Sequence, residues 1–246
     1  MALPACLLQG LAAFVLAFLA GYADVITYMR YGSFAASMTG NVIFAGRQLA
    51  SLAWQDFLFY FAIMVAWSSG SFVYHQIEKV FPRRGASRAA LLVAIFSTAI
   101  DIAFNLSARP GDPRNRWWIV GLVPIFGVEE AFALTHLKLP ATGVSKHLYN
   151  MSKLCEMCWS KGGEEGQQCK DVYLSAVMLI GLITGAVLGE RLAATFGLEV
   201  RWCFLPVSPL VMLAIWVHEC LHWKTCEDPV NMEPMDSEAD DDADSS

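Results

Sequence analysis

The sequence predicts an all-α polytopic membrane protein, with about six spanning helices and two shorter helices that are re-entrant or amphipathic. Three observations carry this. The 246 residues are 56% hydrophobic and 16% charged, whereas a soluble domain is about 45–50% apolar and about 25% charged. Six apolar stretches, at 7–29, 57–77, 89–107, 117–136, 172–193 and 203–223, each approach the ~17–25 residues that cross a bilayer. Two further segments, 33–50 and 140–158, are apolar but short and studded with polar residues. Such pieces persist at membrane depth where protein or a cavity satisfies their backbone.

The first stretch begins Met1-Ala2-Leu3-Pro4 and meets no Lys or Arg before Arg30. A secretory signal needs a basic start and a shorter apolar run, so this stretch is expected to stay as a span. Charged or Pro/Gly-rich punctuation separates the later spans at 79–88, 109–116 and 161–171. Trp117 and Trp118 open the fourth span, Trp202 precedes the last and Trp223 ends it, which suits rings that favour the membrane interface. With six spans, ten Lys/Arg lie on the side of the N-terminus and seven on the other. The positive-inside rule then puts both termini in the cytoplasm.

The net charge of −6 is unevenly spread. Residues 227–246 hold nine acids and no Lys or Arg; residues 1–226 hold seventeen basic and fourteen acidic residues, a net of +3. The tail is expected to be disordered, because such a composition cannot build a core. No basic stripe outlines a nucleic-acid footprint. The seven cysteines show no framework spacing, and free Cys is commonly a small buried hydrophobe. Cys155, Cys158 and Cys169 offer a C-x₂-C pair without a full four-ligand zinc pattern. No P-loop is present, and no cofactor is expected.

The chain contains two similar halves, 1–116 and 117–226. Gly21-Tyr22-Ala23-Asp24-Val25 lies late in the first span and Gly127-Val128-Glu129-Glu130-Ala131 late in the fourth. Thr39-Gly40-Asn41 follows in one half and Leu148-Tyr149-Asn150 in the other, each at a short apolar segment. Three spans per half would insert the second half upside down, the inverted plan of many secondary transporters.

Gly21-Tyr22-Ala23-Asp24, followed by Met38-Thr39-Gly40-Asn41, resembles the YoaK family of multi-spanning membrane proteins. The resemblance covers about residues 7–223 by span layout and is most specific in the first 45 residues. It implies architecture and no substrate. The family's second half usually carries Gly-x-Gln-Asn-Ala; here Glu129 and Glu130 stand where Gln and Asn would. Of its second Thr-Gly-Asn run, only Asn150 remains.

Intramembrane carboxylates cost about 2.5–3.5 kcal/mol at a helix centre on insertion scales, and they tend to face a cavity or a partner. Asp24, Asp101, Glu129 and Glu130 are therefore the candidate proton- or cation-binding residues, with plain capping near helix ends as the alternative for Asp24 and Glu130. Adjacent Glu129 and Glu130 point about 100° apart on a helix and cannot face one site equally well. Thr39, Gly40 and Asn41, with Asn150 in the second half, are the candidate solute contacts. Thr and Asn equally well cap a helix start. Pro124 predicts a kink just before Glu129. Gly181, Gly185 and Gly189 form a ladder that lets a neighbouring helix pack closely, within the chain or in an oligomer.

His218-Glu219-Cys220-Leu221-His222 matches H-E-x-x-H, in which two His on one helix face bind zinc and the Glu acts as base. Three function classes follow. The leading one is a small secondary carrier or permease for a small polar solute, coupled to a proton or cation. The second is a non-transporting membrane scaffold with the acidic tail as its handle. The third is an intramembrane zinc protease through His218, Glu219 and His222, although no third-ligand element follows them.

Overall fold

The computed structural model describes residues 5–82, 84–107, 113–159, 165–196 and 204–226. The acidic tail lies outside them. Every element among them is helical: α1 Ala5–Tyr31, α2 Met38–Ala50, α3 Trp54–Val80, α4 Gly85–Ser107, a 3-10 turn Pro113–Trp118, α5 Ile119–Leu122, α6 Pro124–Phe132, a π-turn Ala133–Leu137, α7 Val144–Trp159, α8 Glu165–Phe196 and α9 Val207–Cys226. Five segments are long and apolar enough to cross a membrane: Leu7–Tyr31, Trp54–Val80, Gly85–Ser107, Arg116–Leu137 and Cys169–Thr195. α9, the expected sixth span, has a shorter apolar part, Val207–Leu221. The chain is thus a multi-pass helical membrane protein.

The fourth span is broken as Pro124 predicts. A Pro lacks the N–H that would bond back four residues, so α5 ends and α6 begins around it. A π-turn then carries Ala133–Leu137, a feature that gathers at functional sites.

The spans pair across the two parts of the chain. α1 packs along α8, and α6 packs against α3; α1 also meets α9, and α6 meets α4. The short helices lie on the next span in each part, α2 on α3 and α7 on α8, while α4 and α9 pack on each other.

Without a hydrophobic drive between helices in lipid, close packing must come from small residues. A Cβ on Gly185 would strike the Phe18 carbonyl of α1, and one on Gly21 the Leu182 carbonyl of α8. A Cβ on Gly70 would strike the Pro124 carbonyl of α6, and one on Gly127 the Trp67 carbonyl of α3. Each crossing is therefore a reciprocal pair of glycines. Gly181 and Gly189 extend the α8 contact to Phe14 and Tyr22, so the predicted ladder faces α1 of the same chain.

The short helices are shorter than a span. α2 has 13 residues, about 20 Å at 1.5 Å per residue. It buries only Asn41 and Ala45, while Val42, Ile43 and Leu49 stay exposed. It lies on the bundle rather than within it. On α7, His147 and Asn150 are buried, one turn apart.

Gly185→Ala or Gly127→Ala should push a crossing apart and cost about 1–3 kcal/mol, the usual penalty of overpacking. Gly46, in α2, has open space where its Cβ would stand, and Gly46→Ala should leave stability unchanged or raise it. Thermal melting of the three purified variants in detergent checks this ordering.

Candidate functional site

The site is built where two chain segments turn back into the molecule. α1 ends at Gly32, whose φ of +69° is the left-handed conformation that glycine adopts freely. Residues 32–37 then fold back along α1. Seven residues before its end, about 10 Å down the helix, Asp24 receives them. Its Oδ1 accepts from the Ala36 N–H at 2.7 Å and its Oδ2 from the Ser37 N–H at 3.1 Å. The Ser37 hydroxyl also donates to Oδ2. Asp24 thus accepts from the two residues just ahead of α2 from a different helix, where a carboxylate also suits the positive helix end.

The fourth span repeats this arrangement. It ends at Lys138, left-handed with φ +61°, an unfavourable conformation for a residue with a Cβ. Residues 138–143 fold back, and Glu130 Oε2 accepts from the Ala141 N–H at 3.0 Å, the Thr142 N–H at 3.3 Å and the Thr142 hydroxyl at 3.3 Å. Asp24 and Glu130 each follow a crossing glycine, Gly21 and Gly127, by three residues.

Asn41 clamps the first loop. Its amide donates to the Phe34 carbonyl at 2.7 Å, and its oxygen accepts from the Phe34 N–H at 3.0 Å. Gly40 makes room for the Phe34 ring. Thr39 takes part in none of these bonds. The alternative reading, capping of this helix start by Thr39 and Asn41, is not met: no side chain caps α2, Asp24 holds the residues ahead of it, and Asn41 ties the loop.

In the second half, Asn150 donates to Ser175 of α8 at 2.9 Å and holds α7 on its neighbour. It does not match Asn41. Four residues beyond the latched Thr142, as Asn41 is beyond Ser37, stands Lys146. Burial lowers the pKa of the nearby His147, opposed by its contacts with the Pro140 and Ala141 backbone.

Glu129 differs from its neighbour. It is 1% exposed, and neither carboxylate oxygen has a hydrogen-bond partner. It lies close enough to feel the charges of Glu130 and Asp24. The adjacent glutamates diverge as helical geometry requires: Glu130 to the loop, Glu129 to the interior. Asp101 belongs to another neighbourhood. It accepts from Asn105 at 3.1 Å and feels the charge of Arg30, whose guanidinium lies over the Phe104 ring at 4.9 Å.

The His218-Glu219 run sits among further polar groups that sequence alone did not bring together. Glu219 accepts from the Ala86 N–H at the start of α4 at 3.1 Å. The buried His218 ring lies 5.2 Å from that of Phe132 and 6.1 Å from His136. His136 stands 3.7 Å from Glu78, which accepts from the Tyr74 hydroxyl at 3.1 Å. The side chains of His222, Cys155 and Cys158 lie outside the described residues. Among those described, no group of three His, Cys, Asp or Glu is placed to hold a metal ion.

Sequence reasoning missed the two hydroxyl partners, Ser37 and Thr142. The signal was present: each stands twelve or thirteen residues after its carboxylate. Asp24→Ala should release the first loop and Glu130→Ala the second. Bonds to a charged group contribute about 1.5–3 kcal/mol, so amide hydrogen exchange at Ala36 and Ser37, or at Ala141 and Thr142, should quicken by roughly one to two orders of magnitude. The other loop should stay protected; hydrogen-exchange mass spectrometry reads both.

No curated protein and no solved structure matches the chain. A family model described as "Protein of unknown function (DUF1275)" matches residues 12–216. That stretch holds both latches, both glycine crossings and Glu129, and the chain belongs to this family, the one that its Gly-x-x-Asp and Met-Thr-Gly-Asn runs resemble.

Proposed function

We propose that the chain is a small secondary carrier for a small polar solute, driven by a proton bound at Glu129. The observation that carries this is Glu129 itself. A bare, unpartnered carboxylate at membrane depth is costly, and such residues mark ion and solute pathways. Glu129 lies eight residues from the end of its span at Leu137, about 12 Å along the helix, near the middle of a hydrocarbon core about 30 Å thick. A kinked helix before it and a π-turn after it match the broken helices of carrier sites.

In this reading residues 1–116 and 117–226 are two halves of opposite orientation. The support is the set of matched pairs: Gly21 with Gly127, Gly185 with Gly70, Asp24 with Glu130, Gly32 with Lys138, and Ser37 with Thr142. Asp24 and Glu130 hold the two short helices in place, and the solute passes beside Thr39, Gly40 and Asn41. The Lys/Arg bias puts both termini in the cytoplasm.

The test uses the full chain in sealed vesicles with a pH dye in the lumen and a panel of small neutral, anionic and cationic solutes. At least one solute gradient should move protons, and Glu129→Gln should reduce this to the rate of protein-free vesicles. Since Glu129 makes no hydrogen bond, Glu129→Gln should melt at or above the wild-type temperature. A folded Glu129→Gln protein that moves protons like the wild type would sink the proposal.

A further inference from the structure

We infer that the solute is a small monovalent cation and that it exchanges with the proton for the same two oxygens of Glu129, one for one. This rests on the carrier reading and narrows its substrate class. Two independent observations support it.

The first is the sign of the interior. Among the described residues, the buried charged side chains include Asp24, Asp101, Glu129 and Glu130, and no Lys or Arg. A site whose fixed charges share one sign draws the opposite sign from water. An anion entering beside Glu129 would meet Glu130 and Asp24 with no buried Lys or Arg to offset them; the buried imidazoles among those residues are His147, on α7, and His218, against Phe132 and His136.

The second is the division of labour among the three carboxyls. Asp24 is engaged by two N–H groups and a hydroxyl, and so is Glu130. Releasing either to hold a solute would leave backbone donors unsatisfied inside the membrane. Glu129 alone has both oxygens uncommitted. One carboxylate neutralises one positive charge, so a proton and a cation cannot both be held there at full charge. The cycle balances without a further reactant: a cation binds the Glu129 oxygens, the proton leaves the O–H bond as H⁺ to the side the cation came from, and the steps reverse at the opposite face. One positive charge moves each way, so the exchange is electroneutral.

The shared chemistry fits either an alkali ion or an organic ammonium or guanidinium ion, and the experiment separates them. Vesicles carrying the full chain and an acidic lumen are exposed to sodium, potassium, guanidinium or tetramethylammonium chloride. The last two carry no proton they readily lose across lipid. Parallel arms use a neutral polyol and a small carboxylate. The expected result is lumenal alkalinisation with at least one cation, unchanged by an imposed membrane potential and absent in folded Glu129→Gln. Which arm responds identifies the cation. Proton movement driven only by the neutral or anionic solute, or protons travelling with the cation, would overturn this inference and leave the carrier reading standing. No proton movement with any solute, from a protein shown to be folded, would overturn both.

Discussion

A backbone that turns back into a buried interior must bond every N–H it hides from water, and the architecture is arranged around that constraint. Residues 32–37 and 138–143 fold back on their spans, and the Ala36, Ser37, Ala141 and Thr142 amides need acceptors from outside a helix. Asp24 and Glu130 supply the missing acceptors from the preceding spans. Each carboxylate would be costly alone in the bilayer, as would each pair of amides. Together they offset one another, because a negative charge at a helix start faces the positive end of the peptide dipoles. Two of the four intramembrane acids are thus explained by structure before any function is invoked.

The latches depend in turn on the crossings. α1 and the fourth span both run close to their partners, and their windows are the most buried among the candidate spans. That approach requires glycine on both sides, Gly21 with Gly185 and Gly127 with Gly70. A glycine and a carboxylate three residues apart lie on the same side of a helix, about one turn apart. The span can therefore press backbone to backbone at the glycine and hold the loop at the carboxylate one turn on. The Gly-x-x-acid spacing is a joint requirement of packing and polar satisfaction.

Much of this was legible in the sequence, because it depends on periodic or local signals. Apolar length marked the spans, Pro124 marked the break, and acids inside apolar runs marked Asp24 and Glu130 as groups in need of a partner. The failures have one physical source: contacts between segments distant in the chain leave no local signature. Nothing near Thr39 or Asn41 shows that Asp24 holds the loop ahead of their helix. Asn150 was matched to Asn41 by residue type, whereas counting from the hydroxyl that meets the carboxylate leads to Lys146. The direction of each glutamate in the Glu129-Glu130 pair follows from the loop that returns to one of them, and that return is invisible until the chain is folded.

The two latched regions differ as well as agree. Glycine crossings, left-handed helix ends and carboxylate latches occur in both, as expected of parts that hold the architecture. The position just before the latch does not match: Ala23 in the first half, fully buried and inert, and Glu129 in the second. Seven residues beyond that position the pair is Arg30 and His136, the first beside Asp101 and the second beside Glu78 and His218. If both halves had carried a free acid, two unpartnered carboxyls would have had to share one low-dielectric interior, each opposing the ionisation of the other. A single free carboxyl between two committed ones avoids that conflict. It leaves Glu129 without a hydrogen bond while the carboxylates beside it keep theirs.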